Sequence, residues 1–322
     1  MCCRFMLLIA AAILSLPLQA QNYPARPIRF VVPFPPGGGT DTVARLIAQP
    51  LAERLKQQIV IDNRSGANAI IGTDIAAKSP ADGYTMVFCL PASVAVNPTL
   101  YRDLPYDVVR DFAPVVQINT IALLLTVANS LPAKNVVELI ALAKAKPGQF
   151  NYASSGNGSA AHLAMALFST MAGLNMVHVP YKGGGPAMTD IIAGQMHMMA
   201  GPMIAAMPHV KSGRVRALAV TTAKRTRGLP DVPAIGETLK GYDSSIWHGV
   251  LVPKGVSPAI VARLNSEIGA VIELPDVRER MATQGAEPVG GTPGQFAALI
   301  KTETVKYAKL LKEVGLARSA SQ

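Results

Sequence analysis

Cysteine, aromatic rings and charge are all scarce in this chain of 322 residues. Cys2 and Cys3 stand at the very start, and only Cys89 lies in the body of the chain. One thiol cannot make an internal disulfide, so the body must be held by apolar burial whatever the redox conditions. Cys89 falls in the apolar run Tyr84-Thr-Met-Val-Phe-Cys-Leu90 and reads as a buried structural thiol before a nucleophile. His162, His178, His197, His209 and His248 form no His-x-x-x-His pair, and there is no Cys-x-x-Cys. A metal centre therefore has no ligand set to start from, and no cofactor is expected. Only 5% of residues are aromatic and 16% charged, with a net charge of +10. The basic residues are scattered, Lys224-Arg-Thr-Arg227 being the one dense cluster. Without interleaved aromatics this argues against a nucleic-acid partner. A diffuse positive field attracts small anions, or serves solubility alone.

Apolar residues, by contrast, make up half the chain. The length exceeds one typical domain, so two lobes are expected. The first residues carry one charge, Arg4, then an apolar run from Phe5 to Leu16, then small and polar residues around Ala20. This is the pattern of a secretory leader over residues 1–20, cleaved after Ala20, and it places the protein in the periplasm. The run is short for a membrane span, though an uncleaved anchor is the alternative.

The rest of the chain is organised around Ile28-Arg-Phe-Val-Val-Pro-Phe-Pro-Pro-Gly-Gly-Gly-Thr-Asp41. Ile28 to Val32 reads as a strand. Pro33, Pro35 and Pro36 stiffen its exit, and three glycines let a ligand approach the main chain. Thr40 or Asp41 is expected to cap a helix carrying Val43, Leu46, Ile47 and Leu51 at helical spacing, with Pro50 kinking or ending it. Unpaired amides at the positive end of a helix suit an anion. Thr42 stands where a dinucleotide fingerprint needs its third glycine, and no Gly-Lys-Ser/Thr follows. A turn that merely links strand to helix is the plain alternative.

Alternation continues through a strand at Ile59 to Asp62, a loop from Asn63 into a helix ending near Lys78, and the strand through Cys89. It predicts a parallel sheet with helices on both faces. Asn97 to Asp107 reads as a proline-punctuated connection. Ala122 to Ala128 is an apolar strand crossing into a second lobe. There the strand Asn151 to Ala153 is followed by Ser154-Ser-Gly-Asn-Gly-Ser159, which opens a helix through His162. The strand Met176 to Pro180 is followed by Tyr181-Lys-Gly-Gly-Gly-Pro186, which opens another. Met196 to Ala200 and Arg216 to Val220 are further strands. The chain returns at Ile246 to Val252, and three helices follow. Three loops thus deliver helix N-termini, one in the first lobe and two in the second.

Seven of these segments resemble a known family: Pro33 to Asp41, Asn63-Arg-Ser-Gly-Ala67, Asp82-Gly-Tyr84, Asn97-Pro-Thr-Leu-Tyr101, Pro105-Tyr-Asp107, Val179-Pro-Tyr-Lys-Gly183 and Arg216-Ala-Leu-Ala-Val220. So does Gly285-Ala-Glu-Pro-Val-Gly-Gly-Thr-Pro293. Together they look like the extracytoplasmic solute receptors of tripartite tricarboxylate transporters, the Bug or TctC type. The resemblance implies an α/β, two-domain periplasmic binding protein of type II, its ligand cleft between two doubly wound lobes. Domain 1 would comprise residues 21–124 and 248–322, and domain 2 residues 125–247. It implies a monomer that binds a small carboxylate and hands it to membrane permease subunits or to a sensor protein. In such receptors main-chain amides and waters of the first loop hold the carboxylate, which nominates Phe34, Gly37, Gly38, Gly39, Thr40 and Asp41. Domain 2 contributes Ser154, Ser155, Gly156, Asn157, His162, Tyr181 and Lys182. Two departures stand out. Asn68 and Ala69 replace expected glycines at the cleft edge, where they shrink or reshape the pocket. His197 stands where the family usually has an aspartate near the cleft.

Plain readings remain beside these. His162 contacts either ligand or loop, and Tyr181 and Lys182 either ligand or neighbouring loop. Trp247 is a core or hinge residue before a stacking platform. Gly156-Asn-Gly-Ser-Ala160 is the nearest approach to a serine elbow, with its serine misplaced. A secreted hydrolase using Asp41 or Ser159 is the rival from another class.

Overall fold

The computed structural model describes residues 23–283 and 285–316; the expected leader, with Cys2, Cys3 and Arg4, lies outside the described residues. The described chain is α/β, with two sheets joined end to end.

The first sheet has the order β11-β4-β10-β3-β1-β2. Its strands are β1 (Ile28–Val32), β2 (Ile59–Asn63), β3 (Thr85–Cys89), β4 (Phe112–Ile121), β10 (Ile246–Pro253) and β11 (Ala286–Gly290). The second sheet has the order β7-β6-β8-β5-β9. It contains β5 (Leu123–Ala128), β6 (Asn151–Ser154), β7 (Val177–Pro180), β8 (Met198–Pro202) and β9 (Val215–Val220). Neither sheet is all-parallel as the alternation predicts. β10 runs antiparallel to β3 and β4, and β5 antiparallel to β8 and β9. The reason is the crossing: each strand that enters from the other lobe arrives at the carboxyl edge and must run back through the sheet.

The helices are α1 (Gly39–Leu55), α2 (Ile70–Ala77), α3 (Val136–Ala145), α4 (Ala160–Ala172), α5 (Gly184–Ile192), α6 (Met203–Lys211), α7 (Pro258–Ile272), α8 (Pro275–Ala282) and α9 (Pro293–Glu313). α1, α7 and α8 cover one face of the six-stranded sheet, burying Leu46, Ile47, Leu264, Ile268 and Val277. α2 and α9 cover the other with Ala76, Phe296 and Ile300. In the five-stranded lobe α3 and α4 lie on one face, α5 and α6 on the other.

Several expectations change. α1 passes through Pro50 to Leu55 without ending early. The lost hydrogen bond costs up to about 3 kcal/mol, and burial of Leu51 and Leu55 beyond the proline offsets it. Gly38, not Thr40 or Asp41, is the N-cap of α1, and no side chain caps it. A π-helical turn, Ala92–Val96, precedes the expected connection Asn97 to Asp107, which itself begins with a helical turn, Asn97–Leu100. β4, β11 and α6 have no counterpart in the sequence reading. β4 mixes Pro114, Gln117, Asn119 and Thr120 into its run, so neither alternation nor continuous apolarity marks it.

A single residue, Ala122, separates β4 from β5. The return path between Val220 and Ile246 lies beside this crossing. The Leu123 amide donates to Thr221 Oγ1 at 3.0 Å, and that hydroxyl donates to the Ser244 carbonyl at 3.0 Å. One buried threonine thus ties the outgoing and returning strands together. Trp247 is a core residue here, its ring edge-on to Phe296 with Nε1 donating to Glu303 at 3.2 Å. α9 straps the two lobes: Phe296 and Ile300 belong to the first core, while Tyr307, Leu310 and Leu311 pack with Val96 and with Leu163 and Ala166 of α4.

Gly249 lies under the Phe296 ring, and a Cβ there would sit 2.1 Å from Phe296 Cζ. Gly249→Ala is expected to destabilise the protein by about 3 kcal/mol in urea titration. Gly269→Ala, in α7 with nothing within 4 Å of the new methyl, should instead be neutral or stabilising by up to about 1 kcal/mol.

Candidate functional site

Both carboxyl edges meet at the crossing, because Ile121 pairs with Ile246 while Leu123 pairs with Pro202. Each edge contains a topological switch point. From β1 the chain goes outward to β2 and then back past β1 to β3, which is parallel to it. From β6 it goes outward to β7 and back past β6 to β8, again parallel. The connections leaving β1 and β3, or β6 and β8, therefore diverge and leave a crevice, which is where α/β sheets take their ligands.

The crevice between β1 and β3 opens into a cavity of about 180 Å³. Phe34, Asn68, Leu90, Pro91 and Ala92 form its first-lobe wall. Gly158, Ser159 and Ala160, at the start of α4, form the opposite wall, and Ser244 to Ile246 and Tyr307 close the rim. Its volume lies below the 300 Å³ or so typical of drug-sized pockets, so the enclosed space suits a small solute. The crevice between β6 and β8 holds a larger cavity of about 410 Å³ between α5 and α6, with Ser155 and Pro202 at its mouth.

The first loop is knotted by Asp41, which is 2% exposed. Its carboxylate accepts the Gly37 amide at 2.8 Å, Arg45 Nε at 2.8 Å and Asn63 Nδ2 at 2.9 Å. Asn63 Nδ2 also donates to the Phe34 carbonyl at 3.0 Å, tying the loop to β2. Burial pushes the Asp41 carboxyl up, but these hydrogen bonds outweigh it and hold the group below its ordinary value. Asp41 is thus an ionised staple rather than a proton donor. With Gly38 extended at φ −75 and no side-chain cap, the first-turn amides of α1 are open to an outside acceptor.

The second loop is strained. Ala67, Asn68 and Ala69 take φ of 46°, 51° and 72°, a left-handed conformation that costs roughly 1 kcal/mol or more for each non-glycine residue. Reciprocal bonds hold it: Asn68 Nδ2 to Asn97 Oδ1 and Asn97 Nδ2 to the Asn68 carbonyl, both at 2.8 Å. Gly72 is required just beyond, since a Cβ there would meet the Arg64 carbonyl at 2.6 Å and Pro33 at 2.8 Å.

In the second lobe Ser159 caps α4, its Oγ accepting the His162 amide at 3.2 Å. His162 Nδ1 accepts the Gly158 amide at 3.0 Å, and its ring stacks on His178 at 3.7 Å. Burial lowers both imidazoles, His162 to about 4 with His178 adding to the effect. Both are therefore neutral at pH 7, leaving Nδ1 of His162 free to accept. Ser154 Oγ lies 2.7 Å from His178 Nε2 and accepts the Gly156 amide at 3.2 Å. Tyr181 donates to Asp190 at 2.6 Å, which raises the phenol to about 12. Lys182 is exposed, and Gly183 is the N-cap of α5, with no side-chain cap.

Of the nominated residues, the structure brings Phe34 and Asn68 into the interlobe cavity. Gly37 and Asp41 border a separate open cavity beside α8, and Ser155 borders the second crevice. Gly39 and Thr40 form the open first turn of α1. Ala69 is buried behind Asn68. Asn157 and His162 line a cavity behind α4, so His162 holds the loop rather than facing the cleft. His197 lies at the amino edge, away from both crevices, where its amide donates to Asn151 Oδ1 at 3.0 Å. Leu90 to Ala92, Ser244 to Ile246 and Tyr307 are walls that the sequence reading missed. A proline directly after an apolar strand is the one local signal at Pro91; the others become neighbours only once the strand order is known.

The chain matches the family described as tripartite tricarboxylate transporter family receptor (TctC) over residues 43–316. It is 40% identical over 311 residues to Protein BugT of Bordetella pertussis, covering 95% of each. An R. palustris protein solved with adipate is 39% identical with a TM-score of 0.77, covering 92% of this chain and 99% of that one. MatC of Rhodopseudomonas palustris, solved with bound malate, is 30% identical with a TM-score of 0.73, covering 90% and 100%.

Asp41→Asn is expected to cost about 1 to 2 kcal/mol at pH 7, because three donors lose a charged acceptor. The folded carboxyl lies below its unfolded value. Its stabilisation is therefore complete above the ordinary aspartate value of about 4 and fades as pH falls through the folded one. Urea titrations of wild type and variant should differ at pH 7 and converge in acid.

Proposed function

We propose, from the premise that the chain belongs to the tripartite tricarboxylate transporter receptor family, that it is a periplasmic receptor for a small organic carboxylate. Two lobes, residues 21–124 with 248–322 and residues 125–247, close on the acid and present it to the permease subunits of such a transporter. A leader over residues 1–20 exports it, and it works as a monomer. The observation that carries this reading is the meeting of two switch-point crevices at one crossing, with the walls of the smaller cavity drawn from both lobes.

Physical chemistry fits an acid held without a buried cation. The first-turn amides of α1 lack a side-chain cap, and helix dipoles favour a negative charge there. Phe34, Gly38, Gly39 and Thr40 supply the carboxylate seat, with Asp41 holding the loop in place. Asn68 and the Gly158–Ser159 turn close over it from either side. Amides and bridging waters avoid the desolvation cost that a buried lysine or arginine would add. The relatives solved with adipate and malate support a carboxylate as the class of ligand. Binding proceeds without chemistry on the ligand: Ser159 is engaged as a helix cap and Asp41 is an ionised, saturated acceptor.

A thermal-shift screen of carboxylic acids on ligand-free protein tests the reading. A true ligand at a hundredfold excess over Kd stabilises by about 2.7 kcal/mol. Gly38→Val should fold, since its φ of −75 suits any residue and a Cβ would meet only the Pro35 carbonyl at 3.5 Å. It should lose that shift entirely. Retained binding in Gly38→Val, or accumulation of a chemically altered acid, would overturn the proposal.

A further inference from the structure

Two imidazoles stand behind the second-lobe wall of the interlobe cavity. His162 on α4 and His178 on β7 stack with ring centroids 3.7 Å apart and planes 8° from parallel. His162 Nδ1 accepts the Gly158 amide at 3.0 Å, so the proton of the neutral ring sits on Nε2. A second proton can add only at Nδ1, which turns the acceptor of that bond into a donor facing another donor. Gly158 takes φ of 70° with glycine's freedom to leave it, and the bond to His162 is what fixes its amide. Gly158 belongs to the interlobe wall. Both rings line a separate cavity of about 340 Å³ behind α4, and His178 is only half-buried, so protons have a path to the stack. No carboxylate or ammonium group is among the described residues that line this cavity. β6 presents the Tyr152 ring, 5.0 Å from His178 and 6.3 Å from His162. β8 presents Met198 and Ala200, and α9 presents Tyr307, Leu310 and Leu311 to α4. Tyr242 donates to the Ala164 carbonyl. A charge created on His162 therefore finds neutral neighbours and a second imidazole, and no counter-ion.

We infer that the His162–His178 stack is a proton-operated catch on the cleft wall: neutral rings hold the Gly158 turn in place, and a proton on His162 releases it. The consequence for a ligand, a weaker grip in acid, rests on the receptor reading above. An opened loop returns His162 to water and to the ordinary imidazole value of 6.5, whereas burial in the closed loop holds it at about 4. The closed form thus binds the proton less well. Its advantage is complete above 6.5, shrinks as pH falls through that interval and levels off below about 4. Within the interval the open form gains about tenfold for each pH unit.

Amide hydrogen exchange, followed by NMR on the 15N-labelled, ligand-free protein from about pH 6.5 to about pH 4.5, tests this. The protection factor of the Gly158 amide is expected to fall about tenfold per pH unit. That of Gly148, whose amide bonds the Asn175 carbonyl at 2.8 Å, should stay constant. His162→Asn puts Oδ1 where Nδ1 stands and does not titrate, so Gly158 should be protected at pH 7 and show no fall. His178→Gln puts an amide where Nε2 meets Ser154 Oγ and should keep the fall, because His162 still titrates. Circular dichroism melts at pH 7 check that both variants fold. Should His162→Asn be unstable, the wild-type imidazole resonances decide, since His162 and the Gly158 amide must then titrate with one midpoint. Constant protection at Gly158, a fall shared by Gly148, a fall kept in His162→Asn or lost in His178→Gln, or separate midpoints would overturn the catch. No ligand enters these measurements, so their failure leaves the receptor reading standing, and failure of the acid screen leaves the catch standing.

Discussion

Everything at the site depends on how the two sheets are joined. With one residue between β4 and β5, the lobes have no length of chain in which to separate, and their carboxyl edges are forced together. Thr221 doubles this constraint by bonding the outgoing strand at Leu123 and the returning one at Ser244. The crossing sets the facing crevices in register.

Within that frame the chain uses charge sparingly. The best-buried carboxylate of the first loop, Asp41, is fully engaged, and His162 and His178 of the second lobe are held neutral by burial. Neutral His162 can accept an amide, so it fixes the Gly158 turn without placing a cation beside the cleft. The strain at Ala67 to Ala69 belongs to the same economy. A left-handed turn made of alanine and asparagine is stiffer than one made of glycine, and the Asn68–Asn97 bonds lock it. A rigid cleft edge loses less entropy when a ligand arrives.

Much of this was legible in the residues. Ile28 to Asp41 announced a strand, a glycine turn and a helix start, and the serine and glycine runs at Ser154 and Tyr181 announced two more. Those are local signals, set by φ preferences and helix periodicity. Sheet direction was not legible, because antiparallel entry of β5 and β10 follows from the lobe crossing and leaves no mark on either strand. β4 escaped notice because its polar residues, among them Asn119 and Gln117, interrupt the run. Asp41 is a staple rather than the cap its position suggests; Arg45 lies one helical turn on, but Asn63 comes from a neighbouring strand that sequence spacing does not bring near. The walls at Leu90, Ser244 and Tyr307 come from three distant stretches and are joined only by topology.

The strap formed by α9 bears on how the molecule is born. All five strands of the second sheet lie between Leu123 and Val220, while the first sheet needs β10 and β11 from the last third of the chain. A polypeptide emerging from its amino end can therefore close the inserted lobe while the flanking one is still missing two strands. The first lobe and the contact of Tyr307, Leu310 and Leu311 with α4 are completed only once α9 has emerged. Until then the nascent chain has no finished cleft.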